Sequence, residues 1–420
     1  MTRVLRRGLL ALGVFLCALA GAALLWLNVR LVATPANAYP AGGLGPDIVA
    51  QLDGIGRRLR AGEGREMQAI FPEGWFFSHM TYGYAWVNVG LATGDPALRA
   101  RAIAETRWVL ERADSPEGLA PFTRATQVPH GVFYLGWTNR LLGGLLLLQA
   151  PAERSTADLA RLKTQSRQLA DAMRASPSGN LDAYPGQSWP CDNVVALASL
   201  AAHDAVFGPT YADVMARWVT LTRARLDPAT GLIPHAANAA TGVATIGPRA
   251  STQVYIHAFL PEVDAAFARE QYARYREVFV TSVVGFPVSL EYPKGSRGQG
   301  DVDTGPLVLG IGPSATVVAI ASARANGDGP LAERITVLSE LFGFPVTKAQ
   351  GKSFALGTLV VADGFLAWGK SLLPWTAPAP ALSDDPASLR LPLHLMSLAL
   401  LAGITVLALR MIATLRRRKA

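Results

Sequence analysis

Cysteine is nearly absent: the 420 residues contain only Cys17 and Cys191. Cys17 falls in an uncharged apolar run, so Cys191 has no partner in the rest of the chain and a disulfide framework is excluded. Stability has to come from a buried core, for which a chain of this length is ample. Histidines are few, and His79, His130 and His235 never fall at a ligand spacing such as H-x-x-x-H, so neither a metal nor another cofactor is expected. A basic surface is also lacking once charge is divided by segment. The formal net charge is +8, but ten of the 39 basic residues lie in residues 1–30 and 389–420, where there is no acidic group. The remaining 29 face 31 acidic residues, which argues against nucleic acid as a partner.

What the two ends do contain is apolar length. Gly8 to Leu27 carries no charge, and Leu391 to Leu409 is interrupted only by His394. At about 1.5 Å per helical residue each run matches a bilayer core. Arg3, Arg6 and Arg7 precede the first run, and Arg410, Arg416, Arg417, Arg418 and Lys419 follow the second. The positive-inside rule therefore puts both termini in the cytoplasm and the middle outside it, in the periplasm if the cell has one. Ala36-Asn37-Ala38 offers a competing reading as a signal-peptide cleavage site. The resulting division is 1–38 for the first span, 39–372 for the main domain, 373–389 for a Pro-rich linker, and 390–420 for the second span and basic tail.

Between the spans, helical periodicity recurs in two alternating kinds. Runs apolar all round occupy about 79–93, 131–149, 189–206, 252–266, 312–325 and 353–370. Amphipathic stretches at 96–112, 156–174, 210–226, 267–281 and 330–342 follow the first five, and 47–62 supplies a sixth. A helix apolar on every side is buried, and a striped helix lies at the surface. Six of each in alternation predict an all-α (α/α)6 toroid, an inner ring within an outer ring. Connections from inner to outer helices are short, whereas those from outer to inner are long and rich in Gly, Pro, aromatic and polar residues, as functional loops are.

In this alternation, over about residues 46–372, the chain resembles the six-hairpin glycosidase-like superfamily. The resemblance implies an active site at the toroid mouth, where loops enter the inner helices; with the two anchors holding the domain at the membrane, the expected substrate is a carbohydrate or a lipid-linked molecule. Glycoside hydrolysis needs one carboxyl as acid, one as base or nucleophile, and flat rings for sugar faces. The mouth segments offer Asp192, Glu291, Asp301 and Asp303 as the catalytic pool. They offer Glu73, Trp75, His79, Tyr82, His130, Trp137, Tyr184, Trp189 and Tyr292 for substrate binding.

Each has a plainer reading beside it. Asp192 falls in the first turn of an inner helix, where the macrodipole favours the ionised form and a base role, yet Ser188 is a plausible cap and an acidic first turn is ordinary. Glu291 lies between Leu290 and Tyr292, a setting that raises a carboxyl pKa, or it pairs with Lys294 or Arg297. Asp301 and Asp303 sit in a Gly-rich turn, where Asp commonly bonds its own backbone. Arg124, Arg249, Lys294 and Arg297 reach the same face and serve either an anionic substrate or these carboxylates.

Trp189-Pro190-Cys191-Asp192-Asn193 supports a second class. It is similar to the linalool dehydratase-isomerase family, also toroids, in placing a cysteine just after a tryptophan at the start of an inner helix. That resemblance implies acid–base chemistry on a terpenoid alcohol by Cys191, with Tyr82 and His130 as helpers. The family's second active-site cysteine has no counterpart. Cys191 as a small packed residue, and a toroid that binds glycan without chemistry, complete the alternatives.

Overall fold

The computed structural model describes residues 3–33, 43–382 and 390–416. Ala36-Asn37-Ala38, most of the Pro-rich stretch's second half, and Arg417, Arg418 and Lys419 lie outside the described residues.

A long helix α1 (Arg3–Ala33) is followed by α2 (Ile48–Arg60), α3 (Glu63–Ile70), α4 (Gly74–Ala92), α5 (Pro96–Ala113), one-turn α6 (Pro116–Leu119), α7 (Gly131–Leu148) and α8 (Thr156–Ala175). Then come α9 (Pro190–Phe207), α10 (Ala212–Arg223), α11 (Ala250–Phe259), α12 (Ala265–Phe279), α13 (Pro313–Ala325), α14 (Gly329–Phe342), α15 (Val360–Ser371) and α16 (Arg390–Arg416). Three antiparallel hairpins interrupt them: β1 (Ala236–Ala237) with β2 (Ala244–Ile246), β3 (Val280–Val283) with β4 (Phe286–Ser289), and β5 (Val346–Lys348) with β6 (Gly351–Ser353). The all-α expectation is corrected to that extent. Strands of two to four residues are too short for alternation to announce them.

Helix α4 packs on α7, α7 on α9, α9 on α11, α11 on α13, α13 on α15, and α15 back on α4, which closes a ring. Helices α5, α8, α10, α12, α14 and α2 back these six in the same order. The burial follows the composition: α7 is buried without a gap from Gly131 to Leu146. By contrast α5 buries only Ala102, Thr106, Val109, Leu110 and Ala113, a stripe at helical spacing. Three expected boundaries move furthest: the first inner helix starts at Gly74 rather than 79, the fourth ends at Phe259 rather than 266, and the last starts at Val360 rather than 353.

The short inner-to-outer turns make one end of the ring, here the base. Several use a capping side chain: Asp95 accepts from the Ala97 amide (2.9 Å), Asp264 from Phe267 (2.8 Å) and Asp328 from Leu331 (3.2 Å). Asp95→Ala is expected to cost about 1 kcal/mol, seen as a small fall in melting temperature with no change in activity.

The base is stoppered by the chain leaving α15. Trp375 donates its indole N–H to Asn88 (2.7 Å), and the Arg140 guanidinium lies 4.1 Å from its ring. Thr376 donates its hydroxyl to Glu262 (2.7 Å), which is itself paired with Arg140 (2.6 Å). The start of the expected linker at 373 is thus part of the packed domain, because one buried Arg and one buried Glu need those partners.

Helices α1 and α16 are long and apolar enough to cross a bilayer, with mean hydropathies of 2.4 and 2.2. They pack antiparallel: Gly13 lies against Met411, Gly21 against Leu401, and Asn28 donates to Ser397 (2.8 Å). The C-terminal end of α1 also meets α14, where Arg30 bonds the Glu340 carbonyl (2.9 Å) and carboxylate (3.1 Å).

Candidate active site

The long connections 61–73, 114–130, 176–189, 224–249, 280–312 and 343–359 all open at the end opposite the base, the mouth. Which side chains reach its centre is set by the face each helix turns inward. In α4, Trp75, His79 and Tyr82 share one face, and it points outward. The Trp75 indole donates to the Arg112 carbonyl (3.3 Å), the His79 ring packs at a tilt against Trp75 (4.3 Å) and Trp108 (5.4 Å), and the Tyr82 hydroxyl donates to Glu105 (2.8 Å). Arg112, Trp108 and Glu105 belong to α5, so these three expected substrate contacts lie between the rings instead. Apolar residues cover α4 all round, and the sequence therefore carries no mark of which face is inner. Burial pushes His79 down to about 4, which keeps it neutral.

The opposite face of α4 presents Phe77, which lies 5.4 Å from Trp137, 5.4 Å from Phe365 and 5.2 Å from Phe133. Tyr255 stacks near Phe77 (6.3 Å) and on Trp368 (6.1 Å). The rings of Phe77, Phe133, Trp137, Tyr255 and Phe365, contributed by α4, α7, α11 and α15 in their first two turns, floor the mouth with aromatic surface, and Trp368 packs beneath them.

Above this floor stand Glu73, Asp192 and Asp303. Pro190 opens α9 at its first helical position, where a missing amide costs nothing, and this sets Asp192 in the first turn. Burial dominates there. Asp192 is pushed up to about 8 by desolvation against the opposing pull of the Trp137 indole, with Asp303 and Glu73 adding like charge. The expectation that the helix start holds Asp192 ionised is overturned, because a fixed partial charge at a helix end is worth less than full desolvation of a carboxylate. Asp303, at the lip, is pushed up to about 6 by desolvation, then by Asp301 and Glu73, with Arg249 opposing. Tyr184 donates to the Glu73 carboxylate and meets Trp189 edge-on (6.1 Å).

Glu291 and Asp301 are otherwise engaged. The fully buried Glu291 carboxylate accepts from Arg249 Nε (2.9 Å) and the Ser251 hydroxyl (2.7 Å). Arg249 Nη1 donates to Asp301 (2.6 Å), whose other oxygen accepts from the amides of Asp303 (3.2 Å) and Thr304 (3.1 Å). These two carboxylates hold the loop that carries Asp303, and their partner is Arg249, neither Lys294 nor Arg297. Tyr292 lies beside the same guanidinium (5.3 Å) and donates to the Gln299 carbonyl (2.8 Å). His235 bonds Thr252 (3.1 Å) and is held down at about 4 by burial and then by Arg249.

His130 caps α7 in a left-handed conformation and packs on Tyr134 (5.2 Å). With Arg124, Thr126 and Gln127 it lines a cavity of about 400 Å³ that holds none of the carboxylates. Cys191 is buried, its thiol pushed well up by desolvation and by Asp192, and so stays protonated. Tyr255, within reach of the charges of Asp303, Cys191 and Asp192, is the residue that sequence reasoning missed. A usable signal existed: Trp137, Tyr255, Phe77 and Phe365 each fall within the first two turns of an inner helix. Among the described residues no group of three or more His, Cys, Asp or Glu side chains is arranged to hold a metal ion.

No family model matches the chain, and no curated protein matches it. Among solved structures it is similar to a glycoside hydrolase from family 105 of C. acetobutylicum ATCC 824, at 13% identity, over 70% of this chain and 92% of that chain, with a TM-score of 0.43. That likeness is too distant to carry any residue across.

Proposed function

We propose that this chain is a membrane-tethered glycan-processing hydrolase that cleaves a glycosidic bond with Asp192 as general acid and Asp303 as base or nucleophile. One observation carries the reading: two neighbouring carboxyls on an aromatic floor have protonation states pushed apart. At neutral pH Asp192 holds its proton and Asp303 does not, which is the division of labour the reaction needs. The rings of the floor suit sugar faces, and Glu73, Tyr184, Trp189 and Tyr292 remain as groups for sugar hydroxyls. The tether rests on the length and apolar character of α1 and α16 and on the basic residues at the N-terminal end of α1 and the C-terminal end of α16, which by the positive-inside rule put both termini in the cytoplasm.

A second reading has its own support. Cys191 and Tyr255, both neutral and both within electrostatic reach of Asp192, stand against rings able to stabilise a carbocation, as loss of water from a terpenoid alcohol requires. The two are separated by turnover in ¹⁸O-labelled water with envelope glycans and with prenyl alcohols. Hydrolysis places one labelled oxygen in the product at each cleaved bond, whereas dehydration releases an unlabelled alkene. Absence of label from a product formed by the full-length protein would sink the hydrolase.

A further inference from the structure

Outside α1 and α16, the described residues include twelve exposed large apolar side chains, and every one lies on a connection into an inner helix or, as Phe342, at the mouth end of α14. None lies on a base turn. Chance scatter over the surface would not select one end. Four of them, Val284, Leu309, Phe344 and Leu356, adopt the left-handed region, with φ between 47° and 57°. Their exposures are 67%, 89%, 57% and 68%. That backbone conformation favours Gly or Asn, and a bulky apolar residue in it adds strain to unfavourable hydration. Apart from the Trp26 ring that meets Phe344, the described fold leaves these side chains largely uncovered.

The terminal helices say what covers them. Trp26, at the outer end of the first apolar run, stacks on Phe344 (6.0 Å), while Arg30, one turn farther out, bonds Glu340, and Leu31 packs with Val337 and Leu341. Outward travel along α1 therefore runs from the mouth of the ring toward its base. Gly43, where the main domain begins, accepts from Arg324 at the base end of α13 (3.5 Å). The bilayer that holds α1 thus lies on the mouth side.

We infer that the ring sits mouth-down on the bilayer, with the rim over α4, α11, α13 and α15 seated in the interfacial layer, so that the candidate site opens toward the membrane. The inference rests on the proposed tether. The apolar sectors are consecutive in the ring, and the sectors over α7 and α9 show no exposed large apolar residue. Exposed Arg297 and Lys348 stand among these apolar residues, as lipid phosphates favour. The ring is accordingly tilted, its α7–α9 sector open to water and the opposite arc in lipid. A substrate that reaches this mouth is carried by the membrane: a headgroup on a lipid anchor, bound at its polar end.

The test uses the full-length chain in phosphatidylcholine/phosphatidylglycerol liposomes, with an environment-sensitive fluorophore on Val284→Cys, Leu309→Cys and Leu356→Cys. Gln187→Cys on the α9 rim and Thr210→Cys on a base turn serve as references, and the labelled parent corrects for Cys17 and Cys191. Lipids bearing a nitroxide near the headgroup should quench the three rim labels about twofold or more, as expected for side chains ~5–10 Å into the interface, and leave both references unchanged. Rim labels quenched no more than Gln187→Cys overturn the orientation while the parent stays bound. Release of the parent by alkaline carbonate instead sinks the tether, and the inference with it.

Discussion

Activity should follow a bell in pH with limbs near 6 and 8, and Asp192→Asn should lower kcat/KM by roughly 10²–10⁴-fold. The limbs come from the two carboxyls: Asp303 must be ionised, which holds above about 6, and Asp192 must keep its proton, which holds below about 8. Asp303→Asn should abolish the acid limb together with most of the rate. Glu73→Gln removes a negative charge that raises both groups, so both limbs should move to lower pH while a bell remains. A profile whose basic limb survives in Asp192→Asn would exclude Asp192 as the acid.

The same carboxyl makes a stability statement with a defined sign. Folding raises Asp192 from an ordinary 3.8 to about 8, so between those values the native state binds more protons than the unfolded chain. Its contribution is fully present below pH 4 and is lost as pH rises through 8, by an amount bounded on the order of 5 kcal/mol. Asp192→Asn, which cannot ionise, should therefore melt higher than the parent at pH 9, with the gain shrinking steadily toward pH 4. Thermal melts of both proteins across that range check it. Loss of activity with a gain in alkaline stability is a combination that a merely misfolded variant does not give.

The ring of six helix pairs was legible because it rests on a periodic signal: runs such as 131–149 and 189–206 are apolar on every side and can only be interior. The location of the site was legible from loop asymmetry. Residue roles were not, because two features leave no local trace. One is rotation: Trp75 and Phe77 are two residues apart on the same apolar helix, yet one packs on α5 and the other floors the mouth. The other is competition among charges. Asp192, Glu291, Asp301 and Asp303 read alike in sequence, and only the position of Arg249 divides them into two that are neutralised and two that are not. The helix-start argument for an ionised Asp192 failed because it weighed a local dipole without the burial that tertiary packing imposes.

That division makes Arg249 the most consequential single residue outside the carboxyl pair. Arg249→Met removes both guanidinium contacts at once and leaves the fully buried Glu291 with the Ser251 hydroxyl alone. Breaking a buried pair in this way costs about 3–5 kcal/mol, because one charge stays behind unpaired. The orphaned carboxyl escapes by taking up a proton, and burial already pushes Glu291 upward. The penalty should therefore be small at pH 5 and grow toward pH 8, as denaturant titrations at the two pH values would show. The double variant Arg249→Met/Glu291→Leu leaves no buried charge at this position and should recover most of the loss, with a coupling of about 0.5–3 kcal/mol or more between the sites. Activity should not recover with it: Asp301, freed from Arg249, no longer fixes the turn that presents the Asp303 amide, and the second carboxyl of the pair loses its position. Recovery of stability and activity together would mean that Asp303 is placed by something other than this clamp.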